Sequence, residues 1–205
     1  MPRSLTSTTV SSPSPGPVSF EIRKASMADI AAMLVLINSH AQRGIMLPRT
    51  EFEMAENIRD FSVIHTGGEL AGCGAVHFYT PRAAEIRSLA LDPQYQGSGG
   101  GKFLMQALEA EAQAFGVQDV FAFTYIPDFF RKMGFIEINR GELPLKAWKD
   151  CLRCPKFQCC DEIAVIKHLS GDDVGVCDTH ARGVPDFAPE PLKPAASLPV
   201  LRNYR

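Results

Sequence analysis

Between Glu85 and Phe103 the chain reads EIRSLALDPQYQGSGGGKF, and no other stretch constrains the fold as strongly. It opens as an apolar-rich run with Ile86, Leu89, Ala90 and Leu91 and breaks at Asp92-Pro93. It then passes through Gln96-Gly97-Ser98-Gly99-Gly100-Gly101 into an amphipathic helix. A strand feeding a glycine-rich turn that opens a helix builds an anion site. The first N–H groups of a helix have no intrahelical acceptor, and the helix dipole favours negative charge there. Glycine also lets the backbone approach a phosphate with no Cβ in the way. The spacing Gly97-x-Gly99-x-Gly101 lies late in the chain. A dinucleotide fold would place Gly-x-Gly-x-x-Gly near the start of a strand–helix–strand unit. An ordinary glycine-rich turn is the alternative reading of the same residues.

The flanking sequence predicts the elements that would surround this loop. Phe20-Glu21-Ile22-Arg23 alternates as a first strand. Ser26 caps a helix with Ile30, Met33, Leu34 and Ile37 on its apolar stripe, and Gly44 ends it. Thr50 and Glu53 have capping-box spacing at the start of a second helix. Strands at 62–64 and 70–79 flank a Gly67-Gly68 hairpin turn. A strand at 84–91 and a helix at 100–115 follow, the latter with Phe103, Leu104, Ala107, Leu108, Glu111 and Ala114 toward the sheet. Val120-Phe121-Ala122-Phe123 reads as a strand covered on both faces. Asp128 caps a short helix at 129–133 closed by Gly134, and strands at 135–138 and 163–166 complete the order. The expectation is an α/β (α+β) fold, a mixed sheet of six or seven strands with about four helices.

Length and charge bound the function. The 205 residues suit one domain at 19–170, between disordered tails at 1–18, rich in Ser, Thr and Pro, and at 171–205, which contains Pro and Gly. A net charge of −2 offers no general attraction to nucleic acid or an anionic membrane. No run of eighteen apolar residues and no secretory signal is present, and four of the six cysteines fall within ten residues, so a reducing cytoplasm is expected.

Gln96-x-x-Gly99-x-Gly101 resembles the Gln/Arg-x-x-Gly-x-Gly/Ala signature of GCN5-related N-acetyltransferases, the GNAT family. Ala84-Glu85-Ile86 and Phe130-Arg131-Lys132-Met133-Gly134-Phe135 fall in the same order and spacing as that family's core. Glu142-Leu143-Pro144, Trp148-Lys149-Asp150-Cys151 and Cys160-Asp161-Glu162 look like the acetyltransferase domain of bacterial N-acetylglutamate synthases, in particular the short forms without an amino-acid-kinase domain. The resemblance covers about residues 20–170. It implies the GNAT fold, acetyl-CoA as co-substrate, and acetylation of the α-amine of glutamate or glutamine at the first step of arginine biosynthesis. It places Leu89, Ala90, Leu91, Gln96, Gly97, Ser98, Gly99, Gly100, Gly101 and Lys102 on acetyl-CoA.

The residues carry the chemistry as follows. The amine must lose a proton, and the leaving thiolate must be stabilised. Glu85 is the only carboxylate on its strand, and burial there would raise its pKa toward that of a usable base; a structural ion pair with Arg87 is the alternative. Many family members place a tyrosine where this chain has Phe130. By resemblance to the synthases, Thr124 supplies a hydroxyl to the thiolate instead, with Tyr125 as a neighbouring substitute. Arg49, Arg87, Ser88, Lys149 and Lys156 are the candidates for holding an acidic acceptor, because arginine binds a carboxylate through two parallel bonds and lysine as a point charge. No metal is expected. Zinc shared by Cys151, Cys154, Cys159 and Cys160 is the competing reading of the cysteine segment, with His168 the nearest histidine. Partners are small molecules, with a homodimer left open. The alternatives are acetylation of another small amine or a peptide N-terminus, or a non-catalytic CoA-binding or zinc-stabilised interaction module.

Overall fold

The computed structural model describes residues 18–143, 152 and 159–169. The expected tails lie outside them apart from Val18, as do Lys149, Lys156, Cys151 and Cys154.

Among the described residues, seven strands form one mixed sheet. They are β1 (Glu21–Lys24), β2 (Phe61–Thr66), β3 (Glu69–Phe78), β4 (Ala83–Leu91), β5 (Asp119–Thr124), β6 (Ile136–Ile138) and β7 (Ile163–His168). Their spatial order is β1-β2-β3-β4-β5-β7-β6. The β4–β5 pair is parallel and the other pairs are antiparallel. Helices α1 (Ile30–Gln42) and α2 (Glu51–Glu56) cover one face, where Met33, Ile37 and Met54 pack on Val63, Cys73 and Ala75. Helices α3 (Gly100–Ala114) and α4 (Pro127–Lys132) cover the other, where Leu104, Leu108 and Phe130 meet Val76, Ala84, Ile86, Val120 and Ala122.

Local signals set most boundaries. The Thr50 hydroxyl accepts from the Glu53 N–H at 3.3 Å while the Glu53 carboxylate accepts from the Thr50 N–H at 3.0 Å, so the expected capping box is present. Gly44 and Gly116 end α1 and α3 in the left-handed region. Ser26 does not cap in the expected way. Its N–H and hydroxyl both donate to Asp29 at 2.7 Å, ahead of a 3-10 turn at Met27–Asp29. Asp128 is not a cap either; it lies in the first turn of α4, which starts one residue earlier at Pro127, a position suited to proline's fixed φ.

The stripe on α3 is also rotated from its expected position. Leu104, Met105, Leu108 and Ala112 are buried, while Ala114 is exposed and Phe103 lies outside the core, stacked on Phe20. The i, i+4 rows through 104–108–112 form a continuous ridge against β3, so the larger Phe103 ring is left at the rim.

A bulge in β4 decides where the sheet opens. Ala75 pairs with Arg87 and Cys73 with Ala90, so one more residue lies between these pairs on β4 than on β3. Ser88, in this bulge, has φ +53, uncommon for a residue with a side chain. The extra residue reverses the alternation. Ala84 and Ile86 face α3, whereas after the bulge Leu89 and Leu91 do so and Ala90 turns to the α1 side. Downstream of Glu85↔Phe121 the β4–β5 ladder ends, although β4 continues to Leu91 and β5 to Thr124. The two parallel strands part, and the space between them is the site.

Candidate active site

A cavity of about 570 Å³ fills the opening between β4 and β5. Its floor is β4 from Glu85 to Leu91, its far wall is Phe123 to Ile126, and the α3 turn closes one end. The segment between α1 and α2 forms the other side through Ile45, Met46, Leu47 and Arg49.

At the α3 end, Gly97 and Gly99 have φ +79 and +91, backbone that side chains rarely adopt, and an added Cβ at either would meet nothing within 4 Å. Open glycine backbone leading into a 15-residue helix is the arrangement that accepts a phosphate. Gln96, Gly97, Gly99, Gly101 and Lys102 line the cavity together with Leu89, Ala90 and Leu91. Ser98 and Gly100 do not. The Ser98 hydroxyl turns back to the Tyr95 carbonyl at 2.5 Å. Gly100 is a packing glycine, since a Cβ there would come within 2.9 Å of the Phe20 ring. This cradle and the apolar wall of Ile126, Phe129 and Phe130 suit a pyrophosphate followed by a long thioester arm.

His40 buttresses the floor from α1. Burial pushes its ionisation down, aided by the neighbouring Arg43 cation. The neutral ring then donates from Nε2 to the Leu91 carbonyl at 3.2 Å and accepts from Arg43 at Nδ1.

The reacting end gathers Glu85, Arg87, Ser88, Thr124 and Arg49 on one cavity. Glu85 is 8% exposed, and the Tyr79 phenol donates to its Oε2 at 2.9 Å. Thr124, buried at the end of β5, accepts from the Ile126 N–H at 3.0 Å, which leaves its hydroxyl proton to donate. Asn38 fixes Arg49 by pairing with both its backbone N–H and its carbonyl, at 2.9 and 3.0 Å. Arg87 is held from behind. His77 Nδ1 donates to Asp60 at 2.6 Å, and Arg87 Nη2 lies 3.1 Å from that nitrogen, 3.5 Å from Asn57 Oδ1 and 3.9 Å from Asp60. Asp60 therefore offsets part of its charge, and Arg49 adds a second cation on the same cavity.

Several lining residues were not singled out from sequence. His40 was readable, since it continues the 33–37–40 stripe of α1 and a polar residue there must find partners. Met46-Leu47 ahead of Pro48 gave only a weak apolar signal. Glu162 enters the cavity from the approach to β7 and Tyr79 reaches Glu85 from the end of β3, both by tertiary placement alone.

Cys73 is buried, which pushes its thiol up to about 12 and makes it inert as a nucleophile. Among the described residues no three His, Cys, Asp or Glu side chains converge on a metal position. His168, the histidine weighed for zinc, pairs with Asp119 instead. No described helix is long and apolar enough to cross a membrane.

The acetyltransferase (GNAT) family matches residues 37–135. An uncharacterised N-acetyltransferase of Chlorobaculum tepidum is 42% identical over 148 residues, 72% of this chain and 96% of that protein. The amino-acid acetyltransferase of Aliivibrio fischeri is 30% identical over 73% of this chain, which spans only 33% of that longer relative. Among solved structures, N-acetylglutamate synthase from Neisseria gonorrhoeae, complexed with coenzyme A and N-acetyl-glutamate, superposes with a TM-score of 0.69 at 27% identity, covering 74% of this chain and 35% of that one. The Mycobacterium tuberculosis protein Rv2747, in complex with CoA and NLQ, gives 0.64 at 25% identity, covering 73% and 99%.

Proposed function

This chain belongs to the acetyltransferase (GNAT) family of N-acetyltransferases, and we propose that it moves the acetyl group of acetyl-CoA to the α-amine of L-glutamate or L-glutamine, at the first step of arginine biosynthesis. The observation that carries this reading is the parted β4–β5 pair. It sets a glycine cradle at one end of a single cavity, and a buried carboxylate with a nearby cation at the other.

In this reading the pyrophosphate of acetyl-CoA lies against Gln96 to Lys102, and the thioester reaches along β4 between Leu89 and Ile126. The acceptor enters from the α1–α2 side. Arg49 takes its carboxylate, Ser88 and Arg87 flank it, Lys156 joins by resemblance, and Lys149 joins as a further candidate cation. Glu85, directly or through water, removes the ammonium proton and leaves the amine to attack the thioester carbon. The tetrahedral intermediate collapses as the carbon–sulfur bond breaks, the nitrogen's second proton passes directly or through water to the leaving sulfur, and the Thr124 hydroxyl hydrogen-bonds that sulfur as it leaves. No covalent enzyme intermediate is involved. A domain at 19–170 does this work in the cytoplasm, with the segments at 1–18 and 171–205 outside the chemistry.

An acetyl-CoA-dependent thiol-release assay across the amino acids tests the acceptor. Turnover with glutamate or glutamine above all others is expected. Silence with both, alongside turnover of another small amine or a peptide N-terminus, overturns the acceptor while keeping the acetyl transfer.

A further inference from the structure

We propose that Tyr79 is a positioning residue for Glu85, its phenol holding the carboxylate in a fixed orientation toward the cavity. The inference rests on the reading of Glu85 as the base.

The geometry begins with the β3–β4 hairpin. His77 pairs with Glu85 across the ladder, so Tyr79, two residues further on, shares their face of the sheet. From there it donates to Glu85 Oε2 at 2.9 Å. Tyr79 does not line the cavity, so it reaches the carboxylate from behind rather than from the substrate side.

The phenol is itself held rigidly. The ring packs on Phe121 at 5.7 Å and edge-on to His77 at 4.9 Å. Its backbone N–H donates to the Ala83 carbonyl at 3.1 Å, and the Thr80 hydroxyl accepts from the N–H groups of Arg82 and Ala83 at 3.2 and 2.9 Å. A tight turn and an aromatic cluster therefore fix the donor before any substrate arrives, which is what a reactive group on the floor of a cavity requires.

The other ionisable groups around Glu85 come from several elements. His77 lies opposite on β3, Arg87 two residues along β4, and Asp60 behind His77. Arg49, Tyr125 and Glu162 share the cavity. Tyr79→Phe leaves all of these in place and removes one oxygen, so a change in proton affinity reports the phenol. A donor to the ionised carboxylate favours that form, and its loss moves the ionisation to higher pH.

The experiment compares wild type, Tyr79→Phe, Glu85→Gln and the double variant in kcat/KM against pH, using glutamate or the amine found by the acceptor survey. Carbon-13 carboxyl titration of glutamate-labelled protein runs in parallel, with Glu85→Gln identifying the resonance. For Tyr79→Phe, the acidic limb and the Glu85 resonance should both move up by about one pH unit, and kcat near neutrality should fall roughly 3–10-fold, the scale of one ordinary side-chain hydrogen bond. KM for acetyl-CoA should stay within about twofold, and in the Glu85→Gln background Tyr79→Phe should cost less than about twofold further. An unmoved limb and resonance in Tyr79→Phe, with Glu85→Gln strongly impaired, would show that Tyr79 only packs and would overturn the positioning role alone. A nearly fully active Glu85→Gln enzyme would remove the base itself and with it the premise.

Discussion

At the scale of single residues, the proposed chemistry turns on a carboxylate and a hydroxyl on opposite sides of a gap. Glu85→Gln keeps the size of the side chain and loses the base, so kcat should fall about 10²–10⁴-fold with acetyl-CoA affinity near normal. Calorimetry beside steady-state kinetics checks both halves. Thr124→Val should cost less, because a water can take the donor's place in a wet cavity. Arg49→Ala should raise KM for the acceptor far more than for acetyl-CoA; equal rises would move Arg49 off the acceptor. Away from the site, the bidentate Arg23 pair at 2.7 and 2.8 Å, helped by the Ser26 donors, holds the Asp29 carboxyl well below its usual range. A folded-state pKa depressed in this way stabilises the protein fully above about pH 4 and loses that contribution as pH falls through the folded value. Because the Arg23 side chain is 49% exposed, solvent screening limits the pair. Asp29→Asn should therefore lower stability at neutral pH by ~1–2 kcal/mol, and the wild-type–variant difference should shrink in strong acid when measured by denaturant titration.

At the scale of elements, the bulge and the glycine turn are what convert an ordinary hairpin into a site. The bulge leaves Glu85 and Arg87 on the side of the proposed acceptor while turning Leu89 and Leu91 to the α3 side, so one strand lines both halves of the cavity. Gly72 shows how closely β3 must approach it. An added Cβ would lie 2.8 Å from the Ala90 carbonyl, a backbone atom that cannot swing aside. Gly72→Ala should accordingly cost about 1–3 kcal/mol in a urea titration. Gly99 fails for a different reason, because its φ of +91 is unfavourable to any side chain. Gly99→Val should weaken acetyl-CoA binding strongly with the circular dichroism of the fold unchanged, and unaltered affinity by calorimetry would reduce the loop to a plain turn. The sequence disclosed these elements unevenly. The glycines, the capping box and the strand order were legible because each is a local pattern with a local cause. The bulge was not, because Arg87-Ser88-Leu89 carries no breaker and its extra residue exists only relative to the register of β3.

At the scale of the whole molecule, the same division between local and tertiary cause explains what else was hidden. The positions of Thr124, Glu85 and the glycine turn could be read along the chain, but Glu162 comes to the cavity, and Tyr79 to Glu85 behind it, through the pairing of β7 with β5 and of β3 with β4. That sheet is nearly two sheets. Strands β1–β4 and β5–β7 are joined along their ladder by three residue pairs, Ala83↔Asp119, Ala84↔Val120 and Glu85↔Phe121, and α3 links them at the other end of the gap. A ligand lying in the opening touches β4, the β5 end and α3 together, so its binding energy adds directly to the cohesion of the two halves. It binds the folded chain and finds no such gap in the unfolded one, which makes the linkage simple. At a CoA concentration of 100 times Kd the folded state should gain about 2.7 kcal/mol, or roughly 5–10 °C in melting temperature for a domain of this size. The gain should grow with the logarithm of CoA concentration and vanish in Gly99→Val at the same concentrations. On the proposed reading glutamate alone touches only the acceptor end, and it should move the melting point less. A glutamate-induced rise matching that of CoA, or a CoA response that survives Gly99→Val, would place the nucleotide somewhere other than the parted strands.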